Sequence, residues 1–241
     1  MQRGLAIAVV CAGCTAGAPA WPDDPAIFYP GGDAPRVVCA SDIDARYAIT
    51  LDDIDRAVAR AADEQSTLHL YTHDPGVTVA PATIEHLLAT AAAHGLSFVT
   101  YDALGTAGHG GLALGFDDDS VADWTALRPV LDRYGARVTF FVSGFAALTA
   151  DERGQLHALA ADGHAIEYHS VSHQNAVDYV AAHGLAAYLA DEITPGLAAM
   201  RGDGFAATAF AYPYGARDEA LDAALAPMFE HLRAIRSTCP R

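Results

Sequence analysis

Basic residues are scarce in this chain. Arginine and lysine together number 14 against 30 acidic residues, a formal net charge of −16. Nucleic acid and anionic membrane surfaces are bound through basic patches, so neither is an expected partner. Long hydrophobic runs are scarce as well: the apolar stretch at the amino terminus is too short to span a bilayer as a helix. There is no internal repeat and no long charged block. Cysteine occurs four times. What remains, 241 residues with 52% hydrophobic and 18% charged, is an ordinary globular composition, long enough for one large domain or two small ones.

The chain opens with "MQRGLAIAVVCAGCTAGAPA". One arginine, an apolar run and then small residues form the pattern of an export leader over residues 1–20, with cleavage after Ala20. In the alternative, "CAGC" resembles a bacterial lipobox with Cys14 as the lipidated anchor, although Cys11 stands where a large aliphatic residue is usual. The third reading is an ordinary buried amino-terminal helix. Residues 21–35 read as an irregular lead-in and 36–241 as a single domain. Cys39 and Cys239 lie within 36–241; export permits a disulfide between them, and two buried thiols are the alternative.

From about residue 36, strand-like runs alternate with Ala/Leu-rich helical stretches. The runs are "RVVCAS", "TLHLYTH", "LSFVTY", "LALGFDD", "RVTFFVSG", "HAIEYHS", "ATAFAYP" and "HLRAIRS". Helices are predicted at roughly 50–64, 81–94, 121–134, 149–162, 184–201 and 216–228. Thr50 with Asp53 and Thr149 with Glu152 have capping-box spacing, and Gly95, Gly135 and Gly163 stop three helices. Near-continuous apolar strands separated by helices imply a parallel sheet. Seven or eight such units predict an α/β fold, a closed or nearly closed parallel (β/α) barrel, with an open doubly wound sheet as the alternative.

In a (β/α) barrel the carboxyl ends of the strands converge on one face. Those ends carry Asp42 and Asp44, then His73, then Asp117, Asp118 and Asp119, then His169 and His173, then Tyr214 and Gly215. An H-x-x-x-H pair alone is commonly two exposed histidines, and "FDDD" alone is commonly a helix cap. Together, two histidines four apart and a carboxylate from another strand form a three-ligand set for Zn²⁺, which also accommodates Co²⁺ or Fe²⁺. The remaining histidines read as surface or satisfied core positions.

"LGFDDDS", "HSVSH" and "AYPYG" resemble the first three motifs of the NodB-type polysaccharide deacetylases, carbohydrate esterase family 4. That resemblance implies a distorted NodB-like barrel and metal-dependent removal of acetyl groups from glycans. The family's two further motifs normally follow these three. Here "LHLYTHDPG" resembles the last and "VVCASDID" occupies the place of the fourth, both ahead of the others. The order implied is a circular permutation, rejoined through "GTAGHGG" at 105–111. Carried over residue by residue, Asp118, His169 and His173 would hold the metal and Asp117 would be the general base. The Tyr214 backbone N–H would help stabilise the oxyanion, and His73 would be the general acid. Asp44, or else Asp42, would orient His73. Three departures stand out. Asp119 replaces the usual glycine of the first motif, where it could bind metal, perturb its neighbours or cap the next helix. Ala211 replaces the arginine that normally pairs with the base, so Arg46, Arg217 or another basic residue would have to substitute. The fourth motif lacks its tryptophan.

The leading reading is a secreted, monomeric, metal-dependent deacetylase acting on an acetylated glycan partner, most naturally an N-acetyl one. Its amine product is cationic and suits an acidic surface. The alternatives are a small-molecule amide or imide hydrolase of the same fold and a non-catalytic glycan-binding relative with a decayed site.

Overall fold

Buried strands of a parallel sheet must satisfy both faces, and this chain does so by alternation. On the strand Gly111–Asp118, Leu112, Leu114 and Phe116 join the apolar layer under the helices, while Ala113, Gly115 and Asp117 face inward. The computed structural model of the protein describes residues 21, 23–30, 34–105 and 110–240. The expected leader, with Cys14, lies outside the described residues, as do 106–109 of the glycine-rich connection. Among the described residues no helix is long and apolar enough to cross a membrane.

The strands are β1 (Phe28–Pro30), β2 (Val37–Asp42), β3 (Ser66–Thr72), β4 (Ser97–Phe98), β5 (Gly111–Asp118), β6 (Thr139–Val142), β7 (Ala165–Tyr168), β8 (Ala209–Ala211) and β9 (His231–Ile235). Seven of them, in the order β2-β3-β5-β6-β7-β8-β9, form a closed ring in which every pairing is parallel. The last strand returns to the first, Val37 opposite Leu232 through Ala40 opposite Ile235. The barrel expectation therefore holds, with seven strands in the ring.

The eighth expected strand, "LSFVTY", shrinks to β4, which pairs only with the start of β5 before the chain turns into a 3₁₀ segment at Tyr101–Ala103. Tyr101 is fully buried there, with Val99 and Leu104 among the barrel's interior residues. The lead-in expected to be irregular instead supplies β1, antiparallel to β3.

Helices α1 (Leu51–Asp63), α2 (Pro81–Ala93) and α5 (Ala150–Ala161) match their predicted spans. Both expected capping boxes form. The predicted helix 121–134 divides into α3 (Val121–Ala126) and α4 (Arg128–Arg133), with Pro129 in the first turn of the second. An unexpected helix, α6 (Ala176–His183), precedes the region expected as one helix over 184–201, which divides into α7 (Leu185–Tyr188), a π-helical turn (Leu189–Ile193) and α8 (Thr194–Gly202). Helix α9 is Glu219–Leu225.

Two features secure the seam. Cys39 of β2 is disulfide-bonded to Cys239, beyond β9, across 200 residues of chain. Where the chain re-enters the barrel before β5, Gly110 leaves no room for a side chain: a Cβ there would lie 2.9 Å from the Ala61 carbonyl oxygen.

The interior also holds polar groups. His69 lies against Tyr29 and Tyr101, with Nδ1 3.1 Å from the Tyr101 hydroxyl. Glu167 of β7 is 1% exposed and accepts from the Thr208 and Ala209 N–H groups at 2.7 and 2.6 Å. Burial pushes its carboxyl up from 4.5 to about 8, although these hydrogen bonds pull it down. Between those two values the unfolded chain releases a proton that the folded chain keeps, so stability falls as pH rises through the window. Glu167→Gln should abolish that slope. In chemical denaturation its stability relative to the parent should rise from pH 4.5 to 8 by on the order of 4 kcal/mol; parallel pH profiles would refute the assignment.

Candidate active site

A cavity of about 480 Å³ opens at the carboxyl ends of the strands, lined by His73, Asp117, Asp118, Asp119, His169, His173, Tyr214 and Arg233 among others. The sequence-predicted site residues from β3, β5, β7 and β8 therefore meet in one space. Asp44 stands directly behind His73.

Three ligand atoms converge. His169 Nε2 and His173 Nε2 lie 3.2 Å apart, and Asp118 Oδ1 lies 3.6 Å from the first and 3.2 Å from the second. Donors around a tetrahedral ion with bonds of about 2.1 Å are separated by about 3.4 Å, so the triangle has the right size. Its chemistry agrees. His169 Nδ1 is 2.7 Å from the Ala211 carbonyl oxygen, so Nδ1–H donates there and Nε2 keeps its lone pair. Burial first, then the Arg233 charge, pushes the His169 imidazole down to about 3, favouring the neutral form a metal requires. Asp118 Oδ1 is buried without a hydrogen-bond partner among the described residues. The residues fit a divalent ion. Asp119 is exposed on the cavity wall and is no part of this triangle.

Strain concentrates at the same place. Of six non-glycine residues with positive φ among the described residues, four belong to the site: Asp118 (+83°), Ser170 (+72°), His173 (+55°) and Tyr214 (+58°). Such backbone persists where surrounding contacts over-determine it. The Tyr214 ring packs against His173 at 4.7 Å.

Asp117 is 2% exposed and is bound by Arg233, whose Nη2 is 2.5 Å from Oδ2. Asp117 Oδ1 has no hydrogen-bond partner among the described residues. Neither basic residue named as a substitute for the missing arginine takes that place. Arg46 pairs with Asp42 at 2.7 Å, and Arg217 with Asp222. The cation instead comes from the neighbouring strand: Arg233 of β9 is the registered partner of Ala211 of β8. Arg233 thus stands one strand sideways from position 211 at the same height. It is 1% exposed, with its guanidinium 4.3 Å over the Tyr71 ring. The signal was present in "HLRAIRS", an arginine inside an otherwise apolar strand.

The third cluster is Asp42, Asp44 and His73. Asp44 Oδ2 lies 2.7 Å from His73 Nδ1, and its Oδ1 accepts from the Thr72 and Thr78 hydroxyls at 2.6 and 3.0 Å. Burial alone would lower the His73 pKa, but the Asp44 hydrogen bond and the charges of Asp117, Asp44 and Asp42 outweigh it, so the net shift is upward. Asp44 itself is held below its ordinary value: burial raises it, and the bonds from His73, Thr72 and Thr78 overcome that. Asp42, the alternative orienting residue, is engaged by Arg46 instead. The Trp124 indole N–H donates to the His73 carbonyl at 3.0 Å and anchors this corner.

A family model described as polysaccharide deacetylase matches residues 105–228. None of the curated proteins matches the chain. Among solved structures, the BpsB deacetylase domain from Bordetella bronchiseptica is 16% identical, with 89% of this chain and 97% of that one covered at a TM-score of 0.53. IcaB from Ammonifex degensii is 19% identical, with 86% and 87% covered at 0.49. The Xyl-CE4 domain of a multidomain xylanase from the hindgut metagenome of Trinervitermes trinervoides is 25% identical, with 45% of this chain covered at 0.38. The chain spans about half of that last structure, 51%.

Breaking a buried ion pair strands a charge, whereas replacing both partners does not. Arg233→Met should destabilise the protein by about 3–5 kcal/mol, and the Asp117→Asn/Arg233→Met double variant should recover much of the loss. Denaturant titration of all four forms measures the coupling; additive losses would contradict the pairing.

Proposed function

The chain belongs to the polysaccharide deacetylase family, and from that premise we propose that it hydrolyses acetyl groups, N-acetyl foremost, on a cell-wall or extracellular glycan and releases acetate. The observation that carries this reading is the joint presence, in one cavity, of three convergent ligand atoms, a carboxylate with an open oxygen and a carboxylate-held imidazole.

Asp118, His169 and His173 would hold the ion, with Zn²⁺ the best match to two imidazoles and a carboxylate, and Co²⁺ or Fe²⁺ accommodated. A divalent ion there supplies a Lewis acid that polarises the acetyl carbonyl and lowers the pKa of water. Asp117 accepts a proton from the attacking water through Oδ1, with Arg233 holding Oδ2. As the water oxygen bonds to the carbonyl carbon, the displaced electron pair moves to the acetyl oxygen, and the Tyr214 N–H donates to it. When the C–N bond breaks, its electron pair stays on nitrogen, which takes a proton from His73. Asp44 keeps that imidazole oriented and protonated. Acetate and a free amine leave.

Export is part of the proposal, supported by the leader pattern and by the Cys39–Cys239 bond, which suits an oxidising compartment. The permuted order is supported by two observations. The first and last strands of the ring are hydrogen-bonded neighbours, so a cut between them leaves the barrel whole. The family match begins at residue 105, where the rejoined connection starts.

Acetate release across a panel of acetylated glycans, with and without chelator, tests the reading. Turnover should vanish with chelator, and no release from any glycan would sink the proposal. Asp117→Asn should keep its metal and lose turnover; full acetate release by that variant would remove it as the base.

The acid form of His73 is the active one, so activity should fall as pH rises past its raised pKa. Asp44→Asn removes the charge that raises it. The alkaline limb of the kcat/KM profile should then move to lower pH, and an unmoved limb would take Asp44 out of the mechanism.

A further inference from the structure

The ligand His173 sits at the end of a loop whose shape is unfavourable by itself. Ser170 and His173 both have left-handed backbone, at φ +72° and +55°, and neither is glycine. Inside the loop, the His173 N–H donates to Ser170 Oγ at 3.0 Å. Two residues hold it from outside: the Gly144 N–H donates to the Ser170 carbonyl at 3.1 Å, and Glu192, in the π-helical turn between α7 and α8, binds the two residues just before His173.

Glu192 spends nearly all its hydrogen-bonding capacity on this loop. Its Oε2 accepts from the Ser172 N–H at 2.9 Å, and its Oε1 accepts from the Ser172 hydroxyl. Its main-chain carbonyl accepts from the Val171 N–H at 3.2 Å and from the Tyr168 hydroxyl at 2.5 Å. Three of the five residues from Tyr168 to Ser172 are thus tied to one residue, immediately before His173.

Glu192 is 3% exposed, and no ion pair to it is found among the described residues. A buried carboxylate without a cation is costly, and an apolar side chain would serve packing better. It lies in a π-helical turn, and single π turns interrupt an α-helix at a cost and recur at functional sites. One turn on, Gly196 is cut away to admit the Tyr168 hydroxyl: a Cβ there would lie 2.1 Å from it.

We propose that Glu192 is a positioning residue for the metal centre: its grip on Ser172 holds loop 170–173 in the strained form that aims His173 at Asp118 and His169. The inference rests on reading those three residues as metal ligands. It concerns the preorganisation of the site and leaves the acid–base chemistry untouched.

Zinc affinity by chelator competition tests it, alongside thermal melts of the metal-free proteins. Wild type against His173→Ala examines the ligand reading: equal affinities would defeat that reading, and the present inference with it. Given a difference there, Glu192→Ala should weaken zinc binding by about 10–100-fold. Glu192→Gln should remain near wild type, because its amide oxygen can accept from the Ser172 N–H while its amide nitrogen donates to Ser172 Oγ. A merely structural role would lower the melting temperature and leave the zinc affinity of the folded protein unchanged, and that result overturns the proposal. If Glu192→Ala does not fold, Glu192→Met decides, because it keeps most of the side-chain volume and removes both oxygens that bind Ser172. Weakened zinc binding in that variant supports the grip, and wild-type affinity overturns it.

Discussion

Six residues of β3 run in register with six of β5, Thr67 opposite Gly111 through Thr72 opposite Phe116, and the site depends on that ladder. It joins the amino-terminal pair of ring strands to the other five and closes the barrel on one side, as β2 against β9 closes it on the other. Because side chains alternate along a strand, a slip of one residue would turn His73 out of the cavity and Leu70 into it. The ladder therefore sets which residues share the cavity. It brings His73, with Asp44 behind it, into the same cavity as Asp117 and Asp118, which lie more than forty positions later in the chain.

Within that frame the protein accepts unfavourable local states around the cavity. Four left-handed non-glycine residues, a buried Asp117–Arg233 pair with unsatisfied atoms on both partners and a buried Glu192 without a cation all gather near the strands' carboxyl ends. None of these is a favoured choice for stability, since buried ion pairs are at best close to neutral against a packed apolar core. The stabilising side of the balance lies lower in the barrel and outside it, in the apolar layer between strands and helices. Strain and buried charge above, dense apolar packing below, is the division expected when a scaffold holds a preorganised site.

Much of this was legible along the chain. The glycine stops, the capping boxes at Thr50 and Thr149 and the alternation of apolar strands with helices are local signals, and local signals survive translation into structure. Misjudged elements failed for physical reasons. "LSFVTY" has the composition of a strand, but β5 offers it an edge only at Ser97 and Phe98, because the rest of that edge pairs with β6. The lead-in carries prolines and glycines, yet Phe28 to Pro30 finds the free start of β3. Helix α6, ahead of the expected start at 184, gives little signal because it is short and amphipathic only in part.

By itself, the sequence determined the fold class, the residue types at the strand ends and the spacing of His169 and His173, because periodicity and short-range motifs are properties of neighbouring residues. It also pointed to the missing arginine at Ala211 without revealing the replacement. Only the tertiary structure decided that Arg233 fills that role, that Asp44 rather than Asp42 holds His73, that Cys39 and Cys239 are joined and that Glu192 grips the His173 loop. Each of these is a contact between residues far apart in the chain or on different strands, and no local pattern encodes which distant partner a closed ring will bring within hydrogen-bonding reach.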